Sequence, residues 1–123
     1  MPRIFFAIGS IFAFISVGAG ALGSHALKGK LTPDLLPIFE IGVRYQMHHA
    51  LALIGVGLAC AKWPSTLMTA SGWLFIVGTV FFSGSIYQHC LTGTRWLEMI
   101  TPIGGSLLML GWICAAVAAL RAS

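Results

Sequence analysis

The stretch Gly42-Val43-Arg44-Tyr45-Gln46-Met47-His48-His49-Ala50-Leu51-Ala52-Leu53-Ile54-Gly55-Val56-Gly57-Leu58-Ala59-Cys60-Ala61 decides how the whole chain is read. As a helix, its purely apolar part, Ala50 to Ala61, is about 18 Å long, too short for a hydrocarbon core of about 30 Å. A crossing at this point must reach back past His49 to start near Gly42. That register carries His48 and His49 about 9 to 10 Å inside the boundary, while Arg44 lies close enough to the surface to extend its guanidinium to water.

The rest of the chain fits the same solvent. Of its 123 residues, 58% are hydrophobic and 8% charged, so too few polar side chains exist to cover a water-soluble fold, and the excess must face lipid. Upstream, Ile4 to Leu22 is an apolar run. With Met1-Pro2-Arg3 before it and small residues after, it has the outline of a secretory signal cleaved near Ala21 or Ala26, but its length suits a retained first helix. Its second half, Gly18 to Ser24, is nearly all small, which suits close helix packing in lipid. Between the first two helices, Lys28-Gly29-Lys30 and Thr32-Pro33-Asp34 predict a short interfacial segment, with Thr32 placed to cap a short helix and Pro37 bending or restarting the chain. Downstream, two further apolar segments follow, the last containing Pro102 in its first turns. The expected architecture is all-α, a single domain of four transmembrane helices over about 4–24, 38–61, 66–86 and 98–120. Trp63, Tyr87 and Trp96 fall at helix ends, where amphipathic rings settle among head groups, whereas Trp73 and Trp112 lie deeper.

Charge separates the function classes. The net charge of +4 comes from seven basic residues scattered singly, without the cluster or stripe that nucleic acid requires. Arg3, Lys62 and Arg121 would lie on one side of the membrane and Lys28, Lys30, Arg44 and Arg95 on the other, a count that fixes no orientation. The remaining ionisable residues are lopsided: with four spans, His25, Asp34, Glu40, His48, His49, His89 and Glu98 all fall toward one side. Glu40, Arg44 and His48 recur at i, i+4 and i+8 on one helix face, where Glu40 and Arg44 can pair. Ionisable groups in a span usually point into the bundle, so a packing clamp is the first expectation, with loss of stability on changing Arg44 or His48 to leucine. The candidate polar cluster is His25, Glu40, Arg44, Gln46, His48, His49, His89 and Glu98.

A metal, haem or quinone site is the sharper alternative. His25, His48 and His89, with Cys90 and the thioether of Met47, offer donors suited to haem iron or copper, but no two lie at ligand spacing on one element. Adjacent His48 and His49 point about 100° apart. A proton relay through Glu40, His48, His49 and Glu98 lacks polar groups in the other half of the membrane. Ser83-Gly84-Ser85 is not a nucleophile elbow, and no enzyme activity is expected. Cys60, Cys90 and Cys114, odd in number and widely spaced, read as buried free thiols.

Gly18-Ala19-Gly20-Ala21-Leu22-Gly23-Ser24-His25-Ala26-Leu27-Lys28 resembles the first motif of the family called domain of unknown function 423. Arg44 to Leu53 resembles its second block, and Phe82-Ser83-Gly84-Ser85-Ile86-Tyr87 and Thr101-Pro102-Ile103-Gly104-Gly105 with Gly111-Trp112 resemble later ones, in order over nearly the whole chain. The family includes YgdD-like inner-membrane proteins and resembles the mitochondrial transmembrane protein 256 group. The resemblance implies a small multi-pass protein of the bacterial plasma (inner) membrane and supplies no catalytic residue, substrate or cofactor. His25, Arg44, Gln46 and His48 match motif positions, whereas His49 stands where an aromatic residue is common. Lipid is the expected surrounding, and a homo-oligomer or another membrane protein the expected partner. The function that follows is structural, membrane-stabilising or complex-assembling, with a subunit role in a larger transporter or respiratory complex as a further reading.

Overall fold

The computed structural model describes residues 2–27, 29–93 and 97–122, apart from the side chains of Leu97 and Glu98. It is all-α: α1 (Pro2–Ser24), α2 (Leu35–Lys62), α3 (Thr66–Thr92) and α4 (Leu97–Arg121). Three helical segments, Pro2–Ser24, Thr66–Thr92 and Met99–Arg121, are long and apolar enough to cross a membrane. The 28 residues of α2 are long enough as well, but its first half is diluted by Glu40, Arg44, Gln46, His48 and His49.

Local chemistry sets the helix ends. The turn that leads into α2 begins at Thr32, whose carbonyl accepts from the N–H groups of Leu35 and Leu36, and it runs directly into α2 through Asp34 at the N-cap, so no separate short helix forms. Pro37 sits in the first turn of α2 and does not restart the chain, because an N–H at that position would lack a helical partner anyway. Leu27, Leu31 and Leu35 fold this connection onto Phe39, Ile86 and Cys90. The α2–α3 turn is tight: Trp63 N–H returns to Ala59 O, and the Ser65 hydroxyl accepts from Met68 N–H at 2.9 Å as the α3 N-cap. The third helix runs six residues beyond the predicted end at Ile86 and stops at Gly93, which adopts the left-handed conformation (φ 74°).

The bundle is built around α2 and α3, which carry most of the buried residues, with α1 packed along α2 and α4 along α3. Across the diagonals, Phe5 of α1 reaches Gly72 and Trp73 of α3, and Trp112 of α4 reaches His49 of α2. One apolar cluster joins all four helices through Phe5, Leu53, Met68, Phe75, Leu108 and Ala118. On α1 only Phe5, Gly9, Ser16 and Gly23 are buried, a single narrow stripe, while Phe14 is 79% exposed. That outward apolarity is what lipid contact demands.

Backbones approach most closely at two glycines. A Cβ on Gly9 would lie 2.7 Å from Ala50 O, and one on Gly104 would lie 2.4 Å from Phe82 N, so only a hydrogen fits in either place. The small-residue run from Gly18 to Ser24 does not make this contact. Gly18 faces open space and Gly20 has only Val43 near, leaving Gly23 against the Phe39 ring as its one tight position.

Candidate functional site on the second helix

The second helix has two polar faces with opposite roles. Its buried residues include Phe39, Gly42, Gln46, His49, Leu53, Val56, Gly57 and Cys60. Glu40, Arg44 and His48 point the other way and are exposed. At 100° per residue, positions 42, 46, 49 and 53 centre on a direction about 180° from positions 40, 44 and 48. The expected inward clamp at Arg44 and His48 is therefore displaced by half a helix turn, to Gln46 and His49. Glu40 and Arg44 share a face as their spacing requires, but neither makes an ion pair with the described residues.

Gln46 ties three helices together. Its Nε2 donates to Phe12 O at 2.8 Å, and its Oε1 accepts from the Tyr87 hydroxyl at 2.6 Å. Nearby, Ser83 Oγ donates to Gly42 O at 2.7 Å, and closer to the other end Ser71 Oγ donates to Gly111 O at 2.9 Å. In hydrocarbon such bonds satisfy donors that water cannot reach. Phe12 O already takes the helical N–H of Ser16, so with Gln46 on its second lone pair it has none left for the Ser16 hydroxyl. That explains why buried Ser16 Oγ lacks a partner, as does Thr79 Oγ1.

His49 is held at the middle of α2. One nitrogen, Nδ1, lies 2.7 Å from Tyr45 O, and the other, Nε2, lies 3.0 Å from Trp112 Nε1. A carbonyl only accepts and an indole N–H only donates, so the proton sits on Nδ1 and the imidazole is neutral. Phe75 and Trp112 pack against the ring with centroids at 5.4 and 5.7 Å. With both nitrogens engaged and aromatic faces around it, His49 acts here as a polar aromatic residue and offers no open ligand position.

The other candidates are scattered. His25 lies just past α1 and is exposed. The Cys90 thiol, buried, contacts Leu35 O at 3.6 Å at the start of α2. His48 lies thirteen residues further along that helix, about 20 Å away, so Cys90 and His48 cannot share an ion. His89 is half-buried near the end of α3. The Glu98 side chain, Lys28, Arg95 and Trp96 lie outside the described residues. Among the described residues, no three His, Cys, Asp or Glu side chains gather closely enough to hold a metal.

Tyr87 was expected at the head-group level, yet its hydroxyl is bonded inside the bundle. Its partner, Gln46, carried no more weight in the sequence than its charged neighbours. The usable signal was amphipathic: Gly42, Gln46, Leu53, Gly57 and Cys60 lie along one α2 face without a charge.

The family model described as "Protein of unknown function (DUF423)" matches residues 19–105. The chain belongs to the DUF423 family. A UPF0382 membrane protein of Staphylococcus epidermidis is 42% identical over 119 residues, covering 97% of each chain. The UPF0382 membrane protein YwdK of Bacillus subtilis is 39% identical over 120 residues, covering 97% of this chain and 98% of its own. No solved structure matches the chain. With three helices apolar enough to cross and full-length bacterial relatives that are membrane proteins, this DUF423 member is a multi-pass protein of the bacterial plasma membrane.

Proposed function

We propose that the protein is a four-spanning assembly element, in which the inner face of α2 holds the bundle and the outer face docks another membrane protein. Several contacts support a fourth crossing. Pro2 O lies against Gly57, Gly9 against Ala50 and Gly23 against Phe39, so α1 and α2 run antiparallel, side by side, along their lengths. A helix of 28 residues is about 42 Å long, ample for a core of about 30 Å. Its low hydropathy comes from a polar inner face that is satisfied within the bundle and a charged outer face that is not.

The observation that carries the docking reading is the outward Glu40–Arg44–His48 stripe, about 12 Å long, in which Glu40 and Arg44 have no ion pair among the described residues and His48 has the Tyr45 ring beside it at 6.0 Å between centroids. Glu40 and Arg44 are near enough to the α2 start to reach water, but His48 lies about 9 to 10 Å inside the hydrocarbon boundary in the register that starts the crossing near Gly42. Charged and polar groups at such depth are costly against lipid and ordinarily meet partners. Below the stripe the same face is apolar, with Leu51 and Leu58 exposed. This is a surface that a partner helix with complementary polar groups would complete.

Because Arg44 is exposed and makes no ion pair with a described residue, Arg44→Leu is expected to change bundle stability by no more than about 0.5 kcal/mol. Denaturant titration in detergent checks that. The docking test places a photo-crosslinking residue at Ile41, with Phe14 on α1 as the lipid-facing control. The expected result is a discrete protein adduct from position 41 only, lost on combining it with Arg44→Leu. Lipid adducts alone from both positions would rule docking out.

A further inference from the structure

The bundle end opposite the charged stripe carries Arg3, Lys62 and Arg121, and no Asp or Glu lies beside them among the described residues. The chain has three acidic residues. Asp34 precedes α2, Glu40 is in its second turn and Glu98 belongs to the first turn of α4, all at the far end. Between the α2–α3 turn and the last turn of α4 lies a cleft of about 640 Å³. Lys62, Arg121, Ser65 and Thr66 line it and are exposed, whereas Leu67 is half-buried and Ala118 buried, which makes the mouth polar and cationic and the floor apolar. The Lys62 ammonium is held 5.6 Å from the centre of the Trp63 ring, beside the cleft. Ser65 Oγ uses a lone pair on Met68 N–H, so its own proton remains free to donate.

We propose that this cleft binds the phosphodiester head group of an anionic glycerophospholipid. Two cations and two hydroxyls match phosphate oxygens, and the apolar floor suits the glycerol backbone and the first acyl carbons. The cleft opens where the spanning helices end, the depth at which phosphodiesters lie. Free inorganic phosphate shares the head-group chemistry but would leave the floor uncovered. This site does not depend on the docking face of α2.

The test is native mass spectrometry of protein in mild detergent, titrated with phosphatidylglycerol, phosphatidylcholine or inorganic phosphate. Lys62→Gln/Arg121→Gln is compared with wild type and with Lys30→Gln at the other end, after thermal unfolding has shown that all three fold alike. The expected result is one phosphatidylglycerol per chain, bound more tightly than phosphatidylcholine and not displaced by millimolar phosphate. Binding should weaken about thirtyfold in the double variant, about fivefold per cation, and stay unchanged in Lys30→Gln. Equal phosphatidylglycerol binding by the double variant, or equal binding of the two lipids, would overturn the proposal. Displacement by inorganic phosphate would assign the cleft to the soluble anion and overturn the lipid reading.

Discussion

Gly104→Val is expected to destabilise the bundle by about 3 kcal/mol, the upper end of what overpacking costs. A Cβ at this position would lie 2.4 Å from Phe82 N and 2.8 Å from its Cα, and backbone cannot rotate away as a flexible side chain can. The α3–α4 helices must therefore separate. That movement also weakens the Gly78–Leu108 contact one turn further on and the Ser85–Thr101 hydroxyl pair. Gly105, one residue later, is the contrasting position, because a Cβ there meets the Phe82 ring at 3.6 Å, an ordinary contact. Reversible unfolding in mixed micelles should show a large loss for Gly104→Val and a small one for Gly105→Ala.

Gln46→Met is the second large effect, a cost of about 2 kcal/mol from removing both amide hydrogen bonds while keeping side-chain length. The loss is not shared equally between its partners. Without the Gln46 amide, the second lone pair of Phe12 O becomes free, and the buried Ser16 hydroxyl one turn away can rotate to it. Tyr87 has no such substitute and is left with a half-buried hydroxyl lacking its acceptor. Tyr87→Phe in the Gln46→Met background should therefore cost much less than in wild type. A double-mutant cycle should give a coupling energy of about 1 kcal/mol, the range of interhelical hydrogen bonds in membranes. Additive losses would show that the Gln46–Tyr87 bond contributes nothing to stability.

How far the sequence disclosed this arrangement differs by helix. α1, α3 and α4 were legible because lipid-facing helices are apolar nearly all round, and length then suffices. α2 was half legible. A spacing of four establishes that Glu40, Arg44 and His48 share a face, but only the composition of the opposite face shows whether it turns inward. Gly42, Gln46, Leu53, Gly57 and Cys60 form an uncharged face with small residues, and packing selects it for the core. Close approach was misplaced for a related reason. Small residues permit contact, and the facing helix decides where it occurs, so Gly9 is clamped while Gly18 is open. Tyr87 was misread because the predicted helix ended one residue before it, at Ile86. In the bundle Ser83 packs onto α2 and Ser85 onto α4, and the helix continues to Thr92. The location of a polar site on α2 was thus legible, but its division into a bonded inner face and an unpaired outer one required the fold.

The two-faced α2 has meaning only if this helix crosses the membrane with the others. The direct test introduces single cysteines at Lys30 and at Pro64, before and after α2, with Cys60, Cys90 and Cys114 changed to alanine. Intact cells or sided vesicles are then labelled with a membrane-impermeant maleimide. A crossing α2 predicts that the two positions react from opposite sides. Labelling of both from the same side would contradict it and place α2 along one surface of a three-span protein.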